Sequence, residues 1–185
     1  PMDYHQFFSS SFQNPRTPYP FQFRIANSSC ESRLIVVPTG LGKTAAVTLS
    51  WLWNRVHLKS DEWPRRLVYC LPMRTLAEQT YQSALEWLRA HKLENSVGIH
   101  LLMGGETSAR WEQKPEENAI IIGTQDMLLS RALNRGYGMS RFRWPIHYAL
   151  LNNDSLWVFD EVQLMGAGLP TTAQLAAFRE RENFG

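Results

Sequence analysis

The sequence predicts an α/β domain: a mostly parallel sheet with helices on both faces. Three observations carry that expectation. Short apolar runs alternate with segments whose apolar residues recur at helical spacing, the pattern of successive β-α-β units. One run, Leu67-Val68-Tyr69-Cys70-Leu71, is continuously apolar between Pro64 and Pro72, as a central strand covered on both faces would be. Polar or glycine-containing turns follow these runs, so the sheet should gather them on one edge, where open α/β sheets bind ligands.

The 185 residues suit one domain, with 44% hydrophobic and 19% charged residues, which is globular rather than disordered material. A net charge of +2 is mild, so a nucleic-acid footprint would have to be a local patch. Cys30 and Cys70 are far apart in sequence and read as free thiols in a reducing cytoplasm, with no metal cluster to build from them. No leader and no long apolar run is present, so a soluble chain without a membrane partner is expected.

Residues 1–20 read as an extended approach broken by Pro15, Pro18 and Pro20. Arg24 to Ser32 stays ambiguous between a helical turn and a polar break. Leu34 to Val37 is expected as the first strand, feeding the turn Pro38-Thr39-Gly40-Leu41-Gly42-Lys43-Thr44. Ala46, Leu49, Trp53 and Val56 then mark the buried face of a helix. After the strand at 67–71, Ala77, Tyr81, Leu85 and Leu88 mark a second helix. Strands follow at 97–103 and 119–122, with a short helix around 109–113 between them. Thr124 caps a helix carrying Leu128, Leu129, Ala132 and Leu133. The fifth strand, Leu156 to Phe159, ends in Asp160-Glu161, and Pro170 opens a last helix.

The turn at 38–44 has the composition of a triphosphate-binding loop. Thr39, Gly40, Leu41 and Gly42 let backbone N–H groups close around phosphate oxygens; Lys43 neutralises the β- and γ-phosphates, and Thr44 offers a hydroxyl to Mg²⁺. ATP and Mg²⁺ are therefore the expected cofactors. The general pattern would place glycine at position 37, where this chain has Val37. The plain alternative is a Gly-Lys-Thr turn opening an ordinary helix. Asp160 would hold the metal beside Thr44, and Glu161 would orient or activate the attacking water. Alone, that pair is an acidic loop opening; in one sheet with a phosphate loop it is the other half of an ATPase site.

Leu71-Pro72-Met73-Arg74-Thr75, Gly104-Gly105-Glu106 and Gly123-Thr124-Gln125 also follow strands and should share the ligand edge. Each is an ordinary strand-to-helix turn by itself. Their order is informative. With the P-T-G-x-G-K-T form of the phosphate loop, the chain resembles the first RecA-like lobe of a superfamily 2 helicase from Phe21 onward, over residues 21–185. More narrowly, Trp157-Val158-Phe159-Asp160-Glu161-Val162-Gln163-Leu164-Met165-Gly166, preceded by Gly138-Met139-Ser140-Arg141-Phe142-Arg143-Trp144-Pro145, resembles the CRISPR-associated helicase–nuclease of type I systems.

The resemblance implies that Gln22 reads the adenine edge with Phe21 or Phe23 beside the base. It implies single-stranded DNA as partner, gripped through Arg74, Thr75, Gly104, Gly105 and Thr124, with 3′-to-5′ movement. Such backbone contacts carry no sequence code. Arg141 and Arg143, interleaved with aromatics, are expected to extend that contact; the alternative is an excursion that packs its aromatics and leaves its arginines solvated. A prokaryotic cytoplasm, a guide-RNA surveillance complex, a second RecA-like lobe and a nuclease domain are the implied setting. None of His5, His57, His91, His100 and His147 precedes an aspartate, so the family's His-Asp nuclease centre is not within these residues. A second lobe's arginine finger is worth about 10³–10⁵ in rate, so these residues alone are expected to bind ATP·Mg weakly and hardly turn it over. Other superfamily 2 motors, a restriction translocase or an RNA helicase, and a non-catalytic nucleotide-binding interaction module, are the rival readings.

Overall fold

The computed structural model describes residues 2–103, 111–133 and 143–166. Among these residues four strands form one sheet: β1 (Arg66–Leu71), β2 (Val97–Leu102), β3 (Asn118–Thr124) and β4 (Ser155–Phe159). All neighbouring pairs are parallel and the order across the sheet is β2-β3-β1-β4. Six α-helices of the described residues accompany them: α1 (Tyr4–Ser10), α2 (Pro20–Ala26), α3 (Lys43–Trp51), α4 (Arg74–Ala90), α5 (Gln125–Ala132) and α6 (Trp144–Asn152). The expected parallel α/β architecture is therefore the observed one, with β1 buried along its whole length.

Side-chain alternation along the strands divides the core in two. Leu67, Tyr69, Leu71, Ile120 and Ile122 pack with residues of α1, α3 and α4, while Val68, Cys70 and Ile121 pack with Leu128 of α5 and Leu151 of α6. Helices therefore cover both faces. The helix expected over 46–56 is present, but after Trp51 it continues as a π-helical turn, Leu52–His57. Asn54 ties that turn to its surroundings by donating to Ser50 O at 2.9 Å and Ala26 O at 2.8 Å.

Two expectations are corrected. Residues 1–20 are not all extended, because Asp3 and Gln6 form a reciprocal capping box that starts α1. Tyr4, Phe7 and Phe8 then bury one face of α1 against Trp53 and His91, which outweighs the prolines further on. Pro20 opens α2 at its first turn, where its missing N–H costs nothing. The strand expected at Leu34–Val37 does not form; residues 31–38 are irregular, with Leu34 85% and Val36 82% exposed. Among the described residues β4 has β1 on one side and no strand on the other, so this segment finds no ladder to join.

The short helix expected near 109–113 appears as a 3₁₀ turn at Trp111–Gln113. The helix expected after Pro170 lies outside the described residues. Among those described, no helix is long and apolar enough to cross a membrane.

Candidate nucleotide-binding site

The phosphate loop is built from backbone conformations that only glycine adopts at low cost. Gly40 and Gly42 have φ of +86° and +76°, and Gly42 is the N-cap of α3. That cap offers no side-chain acceptor, so the first-turn N–H groups of α3 stay available to an anion. Thr39 and Gly40 are exposed, and Leu41, Gly42, Lys43 and Thr44 are half-buried, as a loop that opens to a ligand should be.

Asp160 reaches the same place from β4. Its N–H donates to Cys70 O at 3.1 Å, carrying the β4–β1 ladder one residue past the strand. Glu161 then turns into the left-handed region at φ +53°, and its N–H donates to Asp160 Oδ1 at 2.9 Å. That turn brings the Glu161 carboxylate within 3.5 Å of the Lys43 ammonium. Gln163 Nε2 donates to the other Glu161 oxygen.

Tyr69 stands between the two halves. Its hydroxyl lies 2.9 Å from Asp160 Oδ2 and 3.4 Å from Thr44 Oγ1. Burial, and next the negative charge of Asp160, push its pKa well above the ordinary tyrosine value, so it stays a phenol with a proton to donate. Sequence reasoning passed over Tyr69 because a tyrosine inside an apolar run reads as core. The available signal was chemical: a phenol in a fully buried strand needs a partner.

Gln22 is buried and both ends of its amide are engaged. Oε1 accepts from Tyr19 N–H at 2.8 Å and Nε2 donates to Gly42 O at 3.0 Å. The residue thus links the start of α2 to the phosphate loop, keeping one N–H and one lone pair for a ligand. Phe21 is half-buried and stacks near Tyr19 at 6.3 Å, while Phe23, 38% exposed, stacks on His5 at 4.7 Å.

Of the residues expected to grip nucleic acid, Arg74 and Thr75 open α4 on the same sheet edge and are exposed. Thr124 occupies the N-cap position of α5, but it is buried and makes no side-chain capping bond. Arg143 pairs with Glu112, which also lies 3.4 Å from the buried His147. Burial, reinforced by Arg131, pushes His147 down to about 4, so that contact is made by a neutral ring at pH 7. Gly104, Gly105 and Arg141 lie outside the described residues.

The donors suit a hard cation carried by a phosphate. Thr44, Asp160 and Glu161 are all oxygen donors, and among the described residues no cluster of three metal-ligating His, Cys, Asp or Glu side chains exists. Such a site would suit Mg²⁺ held by one carboxylate, one hydroxyl and phosphate oxygens rather than in a cage of its own.

Residues 19–180 match the model of the DEAD/DEAH box helicase family. Over 152 residues, 80% of the chain, the sequence is 34% identical to the U5 small nuclear ribonucleoprotein 200 kDa helicase of Homo sapiens. It is 33% identical over the same length to the proteins of that name from Mus musculus and Rattus norvegicus. The chain spans about 6% of the length of these relatives.

Proposed function

The chain belongs to the DEAD/DEAH box helicase family, and from that premise we propose that it is the ATP-binding lobe of a motor that moves along single-stranded nucleic acid. One observation carries the reading: Lys43, Thr44, Asp160 and Glu161 converge at one end of the sheet, with Lys43 and Glu161 3.5 Å apart. Lys43 and the N–H groups of α3 bind the β- and γ-phosphates. Thr44 and Asp160 hold Mg²⁺, which neutralises charge on the transferring phosphate when bound. Lys43 leaves Glu161 as it takes up phosphate, and the freed Glu161 carboxylate orients water for attack. Gln22 transmits the presence of adenine to the loop through Gly42.

Lys43→Ala should lose ATP binding, measured by calorimetry. Glu161→Gln should keep or slightly improve binding, because Lys43 is released, and should abolish whatever Mg²⁺-dependent phosphate release the unmodified protein shows. Equal binding by unmodified protein and Lys43→Ala would sink the assignment.

We assign single-stranded DNA as the track, with 3′-to-5′ movement and CRISPR interference in a prokaryotic cytoplasm as the setting, supported by the string Asp160 to Gly166 and the segment before it. The proposed partners are a second lobe, a nuclease domain and a guide-RNA surveillance complex. Similarity to a ribonucleoprotein helicase favours RNA as the second reading. Fluorescence anisotropy with DNA and RNA oligonucleotides of one sequence, with a non-hydrolysable ATP analogue present, separates them: tighter DNA binding is expected, and tighter RNA binding overturns the DNA assignment.

A further inference from the structure

We propose that Tyr69 is a positioning residue of the metal subsite, setting the Thr44 hydroxyl and the Asp160 carboxylate for Mg²⁺. The proposal rests on the reading of this loop as an ATP·Mg²⁺ site. Tyr69 sits in the middle of β1, 1% exposed, opposite Val158 of β4 and Ile122 of β3. Its side chain points to the face covered by α3, and its length carries the hydroxyl to the strand ends where the two halves of the site meet.

The phenol has one proton and therefore one donor bond to give. The 2.9 Å contact to Asp160 Oδ2 is the shorter, and a carboxylate can only accept, so the proton belongs there. Asp160 Oδ1 is already held by the Glu161 N–H at 2.9 Å. Each carboxylate oxygen thus has one protein donor, which fixes the plane of the group. The same hydroxyl also faces Thr44 Oγ1, at 3.4 Å, as its second and longer contact. The 3.4 Å arm is long for an O–H···O bond, so the Asp160 arm does most of the ordering. A tyrosine that merely satisfied its own hydroxyl would need one of these partners. This one joins the loop residue and the strand residue expected to share a metal.

The test is an ATP-binding titration against Mg²⁺ concentration, read by calorimetry or by a fluorescent ATP analogue, with EDTA as the metal-free reference. Tyr69→Phe keeps the ring and removes the hydroxyl. Its Mg²⁺ midpoint should rise by about 10–100-fold, as for loss of outer-shell partners of metal ligands generally. Its affinity for ATP in EDTA should not change. Replacing Tyr69 by 4-aminophenylalanine, which keeps the reach and a donor, should recover most of the loss. In an Asp160→Asn background, Tyr69→Phe should have no further effect. An unchanged Mg²⁺ midpoint in Tyr69→Phe, with Lys43-dependent ATP binding intact, overturns the role of Tyr69 alone. Absence of Lys43-dependent ATP binding in the unmodified chain overturns the nucleotide site and this proposal together. A Tyr69→Phe chain that loses its folded circular-dichroism signal makes Tyr69 a core residue and overturns the assignment as well.

Discussion

Two glycines in the phosphate loop share a left-handed backbone but not a neighbourhood. A Cβ added at Gly40 would meet nothing within 4 Å, whereas one at Gly42 would stand 2.7 Å from Gln22 Nε2. Gly40→Ala therefore costs only the strain of an L-residue at positive φ, about 1–2 kcal/mol. Gly42→Ala adds displacement of the Gln22 amide from the loop. Its ATP affinity is expected to fall further than that of Gly40→Ala, and its loss of adenine-over-guanine preference to be larger, in paired calorimetric titrations. That Lys43 and Glu161 would meet was legible in the sequence, because phosphate and metal chemistry would restrict residue type at Gly42, Lys43, Thr44, Asp160 and Glu161. Tyr69 and the tether from Gln22 to Gly42 were not readable, since each depends on residues remote in sequence that only the folded sheet brings together.

At the scale of elements, β1 begins with a buried cation. Arg66 donates to Leu150 O at 3.0 Å, Pro115 O at 3.1 Å, Asn153 O at 2.7 Å and Ser155 Oγ at 3.3 Å. One guanidinium fork thus fastens the end of α6, the approach to β3 and the start of β4 to the central strand. Arg66→Met leaves several of these acceptors without a donor and is expected to lower stability by about 1–3 kcal/mol, read from the denaturant midpoint. The apolar run itself starts only at Leu67, because arginine ordinarily ends such a run; enough carbonyl acceptors overrule that rule.

The docking of α1 onto the end of α4 is similarly specific. His91 stacks on Phe7 at 3.9 Å and meets Ser11 Oγ at 2.8 Å. Burial, with the nearby His57, lowers its pKa from 6.5 to about 4. The folded ring stays neutral where the unfolded chain already takes up a proton, so folding loses support as pH falls from 6.5 toward about 4. Thermal midpoints should decline through that window, and less steeply in His91→Gln. An identical decline in the two proteins would remove His91 from the account. The sequence does not show this contact, because Phe7 and His91 lie far apart in the chain and only the fold stacks them.

Across the whole molecule, the alternation of apolar runs and helical spacing was enough to anticipate a parallel sheet with both faces covered, because fully buried strands such as β1 leave no polar alternation to misread. The sheet's extent was less accessible. Leu34 to Val37 has the composition of a strand, yet strand formation needs a neighbour as well as a composition. What the sequence shows is residue preference; the supply of ladder partners is a property of the assembled sheet.

That unpaired segment has a colloidal consequence. Leu34-Ile35-Val36-Val37 is uncharged and rich in β-branched residues, with Leu34 and Val36 exposed and Ile35 and Val37 half-buried, the makings of a self-templating patch. It is bracketed by Arg33, anchored to Glu31 and to Ser29 O, and by Pro38, which cannot donate to an incoming strand. These two residues act as gatekeepers against chain-to-chain pairing. Val36→Lys should raise the protein concentration at which light scattering begins and leave ATP affinity as it was, while Arg33→Ala should lower that concentration. Shelf life in concentrated solution would then be governed by four residues beside the glycine loop.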